Sequence, residues 1–473
     1  MNLKSLRKFI IIFLVIYLVL VVSFYFLTGH QLKYRQSDGN IKMPEHVIKY
    51  IDLVEGVTIE QRFSAPIEVF DSVSVRFSTS LRTNNSGKVT MQLLKEDGTL
   101  LASQSKDAKD FVNEEIYTLR LDKPRDDLYN VPLIIRIYAD SNIDNCVSLS
   151  LSPKFGNDTF VLNNYPEATI FFSASGEDLL WIGSHYWFFA VGGFVLFSLI
   201  FAYCYLRLRK GKQTLFVKVL SEVKKYKFLI KTLVSRDFKT KYKRSVLGIF
   251  WSFLNPLLIM IVQYFVFSKI FKADIKLYPA YLLIGIVSFN FFSEATNMCL
   301  TSVTGNSSLI TKVYVPKYIY PLTRLMSSTI NLAISLIPLS IVGAITGVGF
   351  SKSIVLALYF WLCLIIFVLG LGLLLSASMV FFRDTQFLWG VLSMIWMYAT
   401  PIFYPENIIP EKFRIIQIAN PLYHFLKNAR ICILDGISPE PISYVISLSF
   451  ALGMLIVGSF VFKKTQDKFL LYI

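Results

Sequence analysis

One apolar segment in the second half of this 473-residue chain carries a group of polar side chains. The group is Asn290, Ser293, Glu294 and Asn297. These positions follow the i, i+3, i+4, i+7 spacing of a single helix face. Because a carboxylate inside an apolar span is costly, it normally faces a bundle interior, a cavity or a partner charge. Two interpretations stay open: a polar wall of a translocation path or dimer seam, or a hydrogen-bonded packing contact with Arg324.

The sequence contains no recognisable catalytic motif. There is no G-x-x-x-x-G-K-[ST] phosphate loop, since the stretch from Gly305 to Lys312 has the wrong spacing and lacks the following hydroxyl residue. No nucleophile–base arrangement is visible, and the four histidines are too scattered for a metal site. We therefore predict no catalytic residue, bound cofactor or metal in this chain.

The composition places these polar residues in a membrane protein. The chain is 54% apolar and 17% charged, whereas soluble domains are about 45–50% apolar and about 25% charged. Its apolar residues form uninterrupted runs near twenty residues, long enough to cross a hydrocarbon core of about 30 Å. This excludes a soluble enzyme, a disordered tail protein and a disulfide scaffold; moreover, Cys146 is the single cysteine between residues 31 and 183.

The net charge of +16 is distributed unevenly. Residues 31–183 hold 16 basic and 22 acidic side chains, a net charge of −6, whereas residues 207–244 hold 14 basic and 2 acidic ones, a net charge of +12. Basic residues beside apolar spans mark the cytoplasmic side and attract anionic lipids. We predict no nucleic-acid partner, because spans flank the basic block on both sides.

Five parts follow from these patterns. They are an anchor span in residues 1–30, an extracytoplasmic β-sandwich domain in 31–183, a second span in 184–207, a basic interface helix region in 208–246 and a six-span bundle in 247–473. The predicted fold class is an α-helical polytopic membrane protein of about eight spans with an inserted extracytoplasmic β-sandwich. Both termini are predicted to be cytoplasmic, since basic residues precede the first span and follow the last.

The β-sandwich prediction rests on short β-rich runs separated by turn-forming residues. The runs are 57–63, 69–77, 89–94, 116–121, 131–138 and 147–151. Many such sandwiches bind sugars, but a fold alone does not establish a ligand.

The six spans of the bundle are predicted near 247–271, 279–302, 320–347, 353–379, 386–404 and 442–462. Residues 405–441 are too polar to cross fully, and we expect short helices there that enter the outer leaflet. Before the bundle, Leu229, Ile230, Leu233, Val234 and Phe238 share one helix face. This pattern predicts an amphipathic helix along the inner membrane surface; a solvated charged linker is the alternative, because Lys241 interrupts the face.

Several short polar segments interrupt the apolar second half of the chain, one after another. They are Arg236-Asp237 leading into residues 239–251, Asn255-Pro256, residues 310–316, Phe382-Arg383-Asp384, residues 401–405 and Asn420-Pro421. Over residues 225–473 this series resembles the permease subunit of ABC-2 type exporters of polysaccharide, teichoic acid and O-antigen. Residues 1–206 depart from the usual pattern, which starts near the basic helix and lacks an anchored outside domain.

The resemblance implies roles for the charged segments. The basic helix would contact a separate ATP-binding subunit, and the loop from Ser308 to Pro316 would be a coupling helix inserted into a groove of that subunit. The residues assigned to coupling are Arg236, Asp237, Lys239, Lys243, Lys312, Pro316, Arg383 and Asp384. The alternative is that these residues only anchor the topology.

Aromatic residues near the span ends complete the predicted translocation path. Tyr398, Phe403, Tyr404 and Tyr423 are either members of an interfacial belt or the lining of an outer gate that stacks on sugar rings. The second interpretation joins them to Asn290, Ser293, Glu294 and Asn297.

The expected protein is a non-enzymatic permease of the bacterial plasma membrane that moves a lipid-linked polysaccharide outward. Six spans make too thin a wall for a glycan conduit, so we expect a homodimer. Two copies of the partner subunit would bind ATP and Mg²⁺. The alternatives are an exporter of lipid or drug, a membrane-embedded glycosyltransferase, for which only Asp237 and Asp384 are available at the cytoplasmic face, and an envelope sensor, for which the cytoplasmic segment 207–246 is too short.

Overall fold

The computed structural model describes residues 3–39, 41, 47, 49–80, 82, 84–153, 161–162, 168–212, 214–243, 245–270, 277–312 and 315–472. Parts of several predicted features therefore lie outside the described residues, among them residues 213 and 244 of the basic block, residue 271 of a span, residues 313–314 of the coupling loop and short stretches of the predicted anchor and sandwich. The chain divides into two compact units, Lys33–Ser184 and Met1–Leu32 together with His185–Ile473.

The described helices and strands run in chain order as follows. The α-helices are α1 Leu3–Thr28, α2 Trp181–Ser184, α3 Tyr186–Arg209, α4 Leu215–Lys225, α5 Lys227–Tyr242, α6 Phe250–Tyr264, α7 Tyr278–Leu300, α8 Ser307–Lys312, α9 Ile319–Thr346, α10 Ala357–Phe381, α11 Thr385–Ala399, α12 Arg414–Ile418, α13 Pro421–Arg430, α14 Pro441–Thr465 and α15 Phe469–Tyr472. The strands are β1 Tyr34–Ser37, β2 Lys49–Asp52, β3 Thr58–Ser64, β4 Val69–Ser78, β5 Lys88–Lys95, β6 Leu100–Asp107, β7 Glu115–Arg125, β8 Pro132–Ala139, β9 Ser148–Pro153, β10 Val161–Leu162, β11 Ala168–Ile170 and β12 Phe172–Leu179.

The unit Lys33–Ser184 consists of two antiparallel sheets. One follows the order β1-β12-β4-β9-β11, with β2 beside β9 and β7 beside β4; the other follows β10-β3-β8-β5-β6. Alternate apolar residues of both sheets, such as Val73 and Val75 of β4 and Ile135 and Ile137 of β8, are buried in one core, as the period of two along a strand requires. The predicted inserted β-sandwich is confirmed.

A bulge lies in β12, where the register against β4 shifts between Ser175 and Gly176. A Cβ atom at Gly176 would come within 2.2 Å of the Val69 carbonyl oxygen. Only glycine lets the two backbones approach this closely.

The other unit is helical. Among the described residues, seven helices are long and apolar enough to cross a membrane: Leu3–Leu32, Tyr186–Arg209, Phe250–Ser268, Tyr278–Leu300, Ile319–Thr346, Lys352–Phe381 and Pro441–Tyr472. The predicted polytopic helical fold is confirmed.

One predicted span, 386–404, is shorter than expected. Its helix, α11, has 15 residues and ends at Ala399. The chain turns extended at Thr400, with φ −102° and ψ 131°, because the ring of Pro401 disfavours helical geometry in the residue before it. Residues 400–405 therefore form an irregular turn in place of the last helical turns.

The centre of the bundle is the packing of α10 against α7 and α14. Gly370 of α10 meets Gly458 of α14 so closely that a Cβ at Gly458 would come within 1.9 Å of the Gly370 carbonyl oxygen. Small residues at such crossings allow direct backbone contact between membrane helices. The crossing fixes these two helices against each other.

The two N-terminal spans, α1 and α3, form an antiparallel pair. The rings of Phe13 and Phe201 pack edge-to-face with their centroids 5.0 Å apart, and the hydroxyl group of Tyr17 donates to the Ala190 carbonyl oxygen at 2.8 Å. The end of α1 also packs on the C-terminal helices, since Phe24 meets Tyr444 of α14 edge-to-face with the ring centroids 5.0 Å apart. The added spans are therefore integrated with the bundle.

The amphipathic helix predicted around residues 229–238 exists as α5, but its surroundings differ from the prediction. Ile230 and Val234 are buried against Val303, Ile310 and Tyr320 of the bundle. The apolar face is covered by protein because the chain brings α8 and the start of α9 under it. The position of α5 along the inner membrane surface stays a prediction.

Short helices do occupy the polar segment 405–441, as predicted. Asn420 caps α13 by accepting a hydrogen bond from the Leu422 backbone N–H at 3.0 Å, and Pro421 stands at the first helical position. Both are typical helix-start residues, which explains the Asn420-Pro421 motif.

Candidate functional site

The predicted coupling segments meet at one end of the helical bundle, which we call the α5 end. One apolar cluster there joins Val234 of α5, Ile310 of α8, Val380 of α10 and Phe462 of α14. Arg236 and Asp237 lie on α5, Lys312 ends α8, and Arg383 and Asp384 join α10 to α11. The fold thus brings together residues that are up to 148 positions apart in the sequence, from Arg236 to Asp384.

Asp237 is the buried charge of this end. Its side chain is only 3% exposed and lies 3.0 Å from Arg236 Nη2 and 3.0 Å from Arg324 Nη1. Arg236 also donates to Asn306 Oδ1 at 3.3 Å. Two guanidinium groups compensate the buried carboxylate, and Arg324 ties α5 to α9.

Glu294 of α7 lies at the centre of a second polar network. This network reaches α5 at Lys241, one helical turn beyond Asp237. Lys241 Nζ is 2.8 Å from Glu294 Oε2, and Asn331 Nδ2 donates to Glu294 Oε1 at 2.7 Å. Ser328 Oγ is 3.4 Å from the same oxygen. Arg324, the partner considered from the sequence, contacts Asp237 instead, because it is placed near the first turn of α9.

These two networks line one cleft. The cleft has a volume of about 640 Å³, and its walls are Arg236, Asp237, Thr240, Lys241, Glu294, Met298, Gly305, Asn306 and Arg324. Residues that the sequence assigned separately to coupling and to the path therefore share one cavity. Three cations and two carboxylates give it a mildly positive balance.

The polar face of α7 is the accessible face of that helix. Beyond its first turn, the residues of α7 that are not buried are Asn290, Ser293, Glu294, Asn297 and Met298. Asn297 Nδ2 donates back to the Ser293 carbonyl oxygen at 2.8 Å. A polar stripe that one chain leaves uncovered fits either a solvated path or a contact with a second chain, so the predicted role stays a prediction.

Most of the other coupling candidates are exposed. The exposed ones are Lys239, Lys243, Lys312, Arg383 and Asp384, whereas Pro316 is half-buried. Exposure at one end leaves these side chains available to a partner surface. Their role in coupling stays a prediction.

The opposite end of the bundle, which we call the α13 end, is organised around Arg430. Its guanidinium group donates to the carbonyl oxygens of Pro401 at 2.6 Å, Ile402 at 3.0 Å and Tyr281 at 3.3 Å. It also lies 3.5 Å from the centroid of the Tyr281 ring. Arg430 thereby satisfies the Pro401 and Ile402 carbonyl groups, which the irregular turn at 400–405 leaves without helical partners, and ties that turn to Tyr281 of α7.

The four aromatic path candidates separate by burial. Tyr398 is exposed and Tyr404 is half-buried, whereas Phe403 and Tyr423 are buried. Phe403 stacks on Phe267 with the ring centroids 5.8 Å apart, and the Tyr423 hydroxyl donates to Glu406 Oε2 at 2.8 Å. In this conformation Phe403 and Tyr423 act in packing, so Tyr398 and Tyr404 are the candidates that sugar rings can reach.

The sequence did not point to Asn331 or Arg430 as parts of these sites. A hint existed for Arg430, since an arginine so close to an apolar segment needs partners. Nothing in the spacing gave the partners, because they are backbone carbonyl groups of a turn about thirty residues away.

Comparison with known families identifies a class of membrane transport domain in this chain. Residues 228–434 match the family described as ABC-2 type transporter. The chain contains an ABC-2 transporter domain and is homologous to permeases of O-antigen and capsule polysaccharide export.

Three relatives illustrate the homology. The O-antigen export system permease protein RfbA of Klebsiella pneumoniae is 29% identical over 248 residues, which are 51% of this chain and 93% of the relative. The protein of the same name from Myxococcus xanthus is 28% identical over 255 residues, 54% of this chain and 98% of the relative. The polysialic acid transport protein KpsM of Escherichia coli is 24% identical over 248 residues, 52% and 96% respectively. ABC-2 permeases of polysaccharide exporters work with an ATP-binding subunit.

Proposed function

We propose that this chain is the permease subunit of an ATP-driven exporter that moves a lipid-linked cell-surface polysaccharide from the cytoplasm to the outer face of a bacterial plasma membrane. Two copies of the chain form the conduit, and two copies of a separate subunit bind ATP and Mg²⁺. The observation that carries the proposal is the meeting of α5, α8 and the α10–α11 turn at one end, with exposed charges on each. Such a surface fits a docked partner that transmits its own domain closure.

The α5 end is the cytoplasmic end in this proposal. The supporting argument is charge, because residues 207–244 carry a net charge of +12 and α5 lies at this end. Positive residues beside short loops stay inside during insertion. The two termini are then cytoplasmic, and residues 31–183 are extracytoplasmic, since the chain leaves α1 and enters α3 at the other end.

The inserted β-sandwich receives or orients the emerging glycan. Its support is its position in the chain, between two spans of the permease. A titration of the full-length protein with the exported glycan checks this part, since loss of the glycan signal on deletion of residues 33–184 is expected.

The alternative activities fit the site less well. A glycosyltransferase needs an available carboxylate in its site; Asp237 lies between Arg236 and Arg324, and the exposed Asp384 does not line the cleft. An exporter of lipid or drug is compatible with the bundle, but the relatives are named for O-antigen, polysialic acid and capsule polysaccharide.

Gene deletion with complementation tests the proposal. We expect deletion to remove the surface polysaccharide and to accumulate its lipid-linked form inside the cell, as measured by gel analysis of surface glycan and mass spectrometry of extracted lipid. Lys312→Glu at the α5 end is expected to fail in complementation. Lys352→Glu is the matched control, because it reverses an exposed charge ahead of α10, at the opposite end of that helix from α11. Surface glycan that persists after deletion contradicts the proposal.

A further inference from the structure

We propose that the Lys241–Glu294 contact is a releasable link between α5 and the path helices, and that Glu294 is the positioning residue that passes a movement of α5 to α7 and α9. The proposal rests on the proposed function, in which α5 contacts the ATP-binding subunit. It explains two features of the Glu294 carboxylate together: its polar neighbours on α7 and its ion pair with α5.

Beyond the apolar cluster that holds Ile230 and Val234, two ion pairs on one face attach the second half of α5 to the bundle. Asp237 and Lys241 are four residues apart, so their side chains lie one above the other. Asp237 contacts Arg324 of α9, and Lys241 contacts Glu294 of α7. A rigid helix held at two points can turn about one of them when the other opens.

The two attachments differ in burial. The Asp237 side chain is 3% exposed, whereas the side chains of Lys241 and Glu294 are 41% and 30% exposed. Breaking a buried charge pair leaves an uncompensated charge away from water, which is expensive. A solvent-accessible pair exchanges its partner for water at little cost. Asp237 therefore acts as the pivot, and the Lys241–Glu294 contact opens.

Glu294 is also joined to the helices that line the cleft. Its second carboxylate oxygen accepts from Asn331 of α9, and Asn331 Oδ1 accepts from the Tyr242 hydroxyl at 3.0 Å. Tyr242 contacts Ser252 of α6 as well. Four helices thus share one hydrogen-bonded network, in which α5 contributes the neighbouring residues Lys241 and Tyr242.

A displacement of the end of α5 consequently breaks two contacts of this network, those of Lys241 and Tyr242. Withdrawal of Lys241 leaves Glu294 with Asn331 and Ser328 alone, and withdrawal of Tyr242 frees Asn331 to turn its amide. The carboxylate then follows α9 instead of α5. This changes the polar face of α7, on which Asn290 and Asn297 lie, without any new contact at those residues.

A charge swap in the complete exporter tests the link. Lys241→Glu alone places two carboxylates together, and we expect export to fall at least tenfold while the partner continues to hydrolyse ATP. The double variant Lys241→Glu with Glu294→Lys restores the pair, since Asn331 can present its amide oxygen to a lysine; export is expected to return to within threefold of the parent. Lys352→Glu, an exposed charge reversal ahead of α10 and away from α5, is expected to change export less than twofold.

Continued ATP hydrolysis separates a loss of coupling from a loss of folding. If the double variant is as inactive as Lys241→Glu although it assembles with the ATPase subunit, the proposal is overturned. Equal losses of hydrolysis and export in Lys241→Glu overturn it as well, because they indicate a structural role.

A crosslinking measurement makes the outcome independent of the cargo. The double variant Thr240→Cys with Met298→Cys keeps the ion pair and places one thiol on each wall of the cleft. Joined by a short bifunctional maleimide, these thiols are expected to crosslink several-fold faster without nucleotide than with a non-hydrolysable ATP analogue. The five native cysteines are buried, which limits background reaction. If crosslinking responds to nucleotide but the parent exports no glycan, the proposed cargo fails and the link stands. If glycan is exported and crosslinking ignores nucleotide, the link fails and the proposed function stands.

Discussion

The most buried charged side chains at the two ends of the helical bundle have different kinds of partner. At the α5 end, side-chain charges pair with one another, as Asp237 does with Arg236 and Arg324. At the α13 end, the Arg430 guanidinium group binds three backbone carbonyl oxygens. Side-chain pairs can exchange partners during a conformational change, whereas a backbone clamp fixes the course of the chain. The α5 end is therefore suited to movement and the α13 end to holding a fixed shape around residues 400–405.

The largest expected effect is at the α13 end. Arg430→Leu removes a donor from three carbonyl groups and leaves that of Ile402 without its guanidinium partner, so we expect the free energy of unfolding to fall by about 2–3 kcal/mol. Thermal unfolding in detergent, followed by tryptophan fluorescence, measures the change. Arg430→Lys is expected to recover only part of it, because an ammonium group lacks the planar fork that reaches several acceptors. A Leu variant as stable as the parent contradicts the clamp.

Between the two ends, the α10–α14 crossing tests whether the centre is fixed. Gly458→Ala is expected to cost about 2–3 kcal/mol, because its Cβ would meet the Gly370 backbone. Gly453→Ala on the same helix is the matched control, since a Cβ there meets nothing within 4 Å; it is expected to stabilise α14 by up to about 1 kcal/mol. Equal melting temperatures for the two variants argue against a rigid crossing.

A similar or smaller effect is expected for two carboxylates at the α5 end, Asp237 and Glu294. Asp237→Ala is expected to destabilise the protein by about 2–3 kcal/mol, since Arg324 then loses its partner. Glu294→Gln is expected to cost less than about 1 kcal/mol, because the Lys241–Glu294 contact is exposed and the amide can still accept from Asn331. The same melting assay measures both. If Glu294→Gln is the more damaging change, the roles of the two attachments are reversed.

The smallest effect lies in the inserted sandwich and appears only in acid. Hydrogen bonds from Arg125 and Lys95 lower the pKa of Asp127 to about 2, compared with about 3.9 in an unfolded chain. Because the folded value is the lower one, the stabilisation is complete above about pH 4 and disappears as the pH falls from about 4 to about 2. We expect Asp127→Asn to flatten this acid dependence, as read by hydrogen exchange of the sandwich strands in the full-length protein. An unchanged slope contradicts the assignment.

The sequence predicted features whose signals are local. The four polar positions of α7 were identified because helix periodicity alone defines a face, and the structure leaves that face accessible. The strands β3, β4, β5 and β8 were found because apolar residues alternate in them. β6 and β12 were missed, since their sequences LLASQSKD and FSASGEDL are rich in small or polar residues and pairing with neighbouring strands determines their conformation.

Contacts between distant residues could not be predicted in the same way. Glu294 pairs with Lys241 and not with Arg324, because the crossing of α5, α7 and α9 decides which cation reaches it. The early end of α11 had a local signal in Pro401, which the apolar character of the following residues obscured. The partners of Arg430 had none, since a carbonyl group carries no sequence information.

The central claim is that the α5 end receives an ATP-binding subunit. A photo-crosslinking amino acid at position 312, compared with one at position 352, tests this in living cells. We predict that position 312 is joined to a protein with a phosphate-binding loop, identified by mass spectrometry, and that position 352 is not. Crosslinking of that ATPase at position 352, or no crosslink to it at position 312 while export continues, would contradict the account.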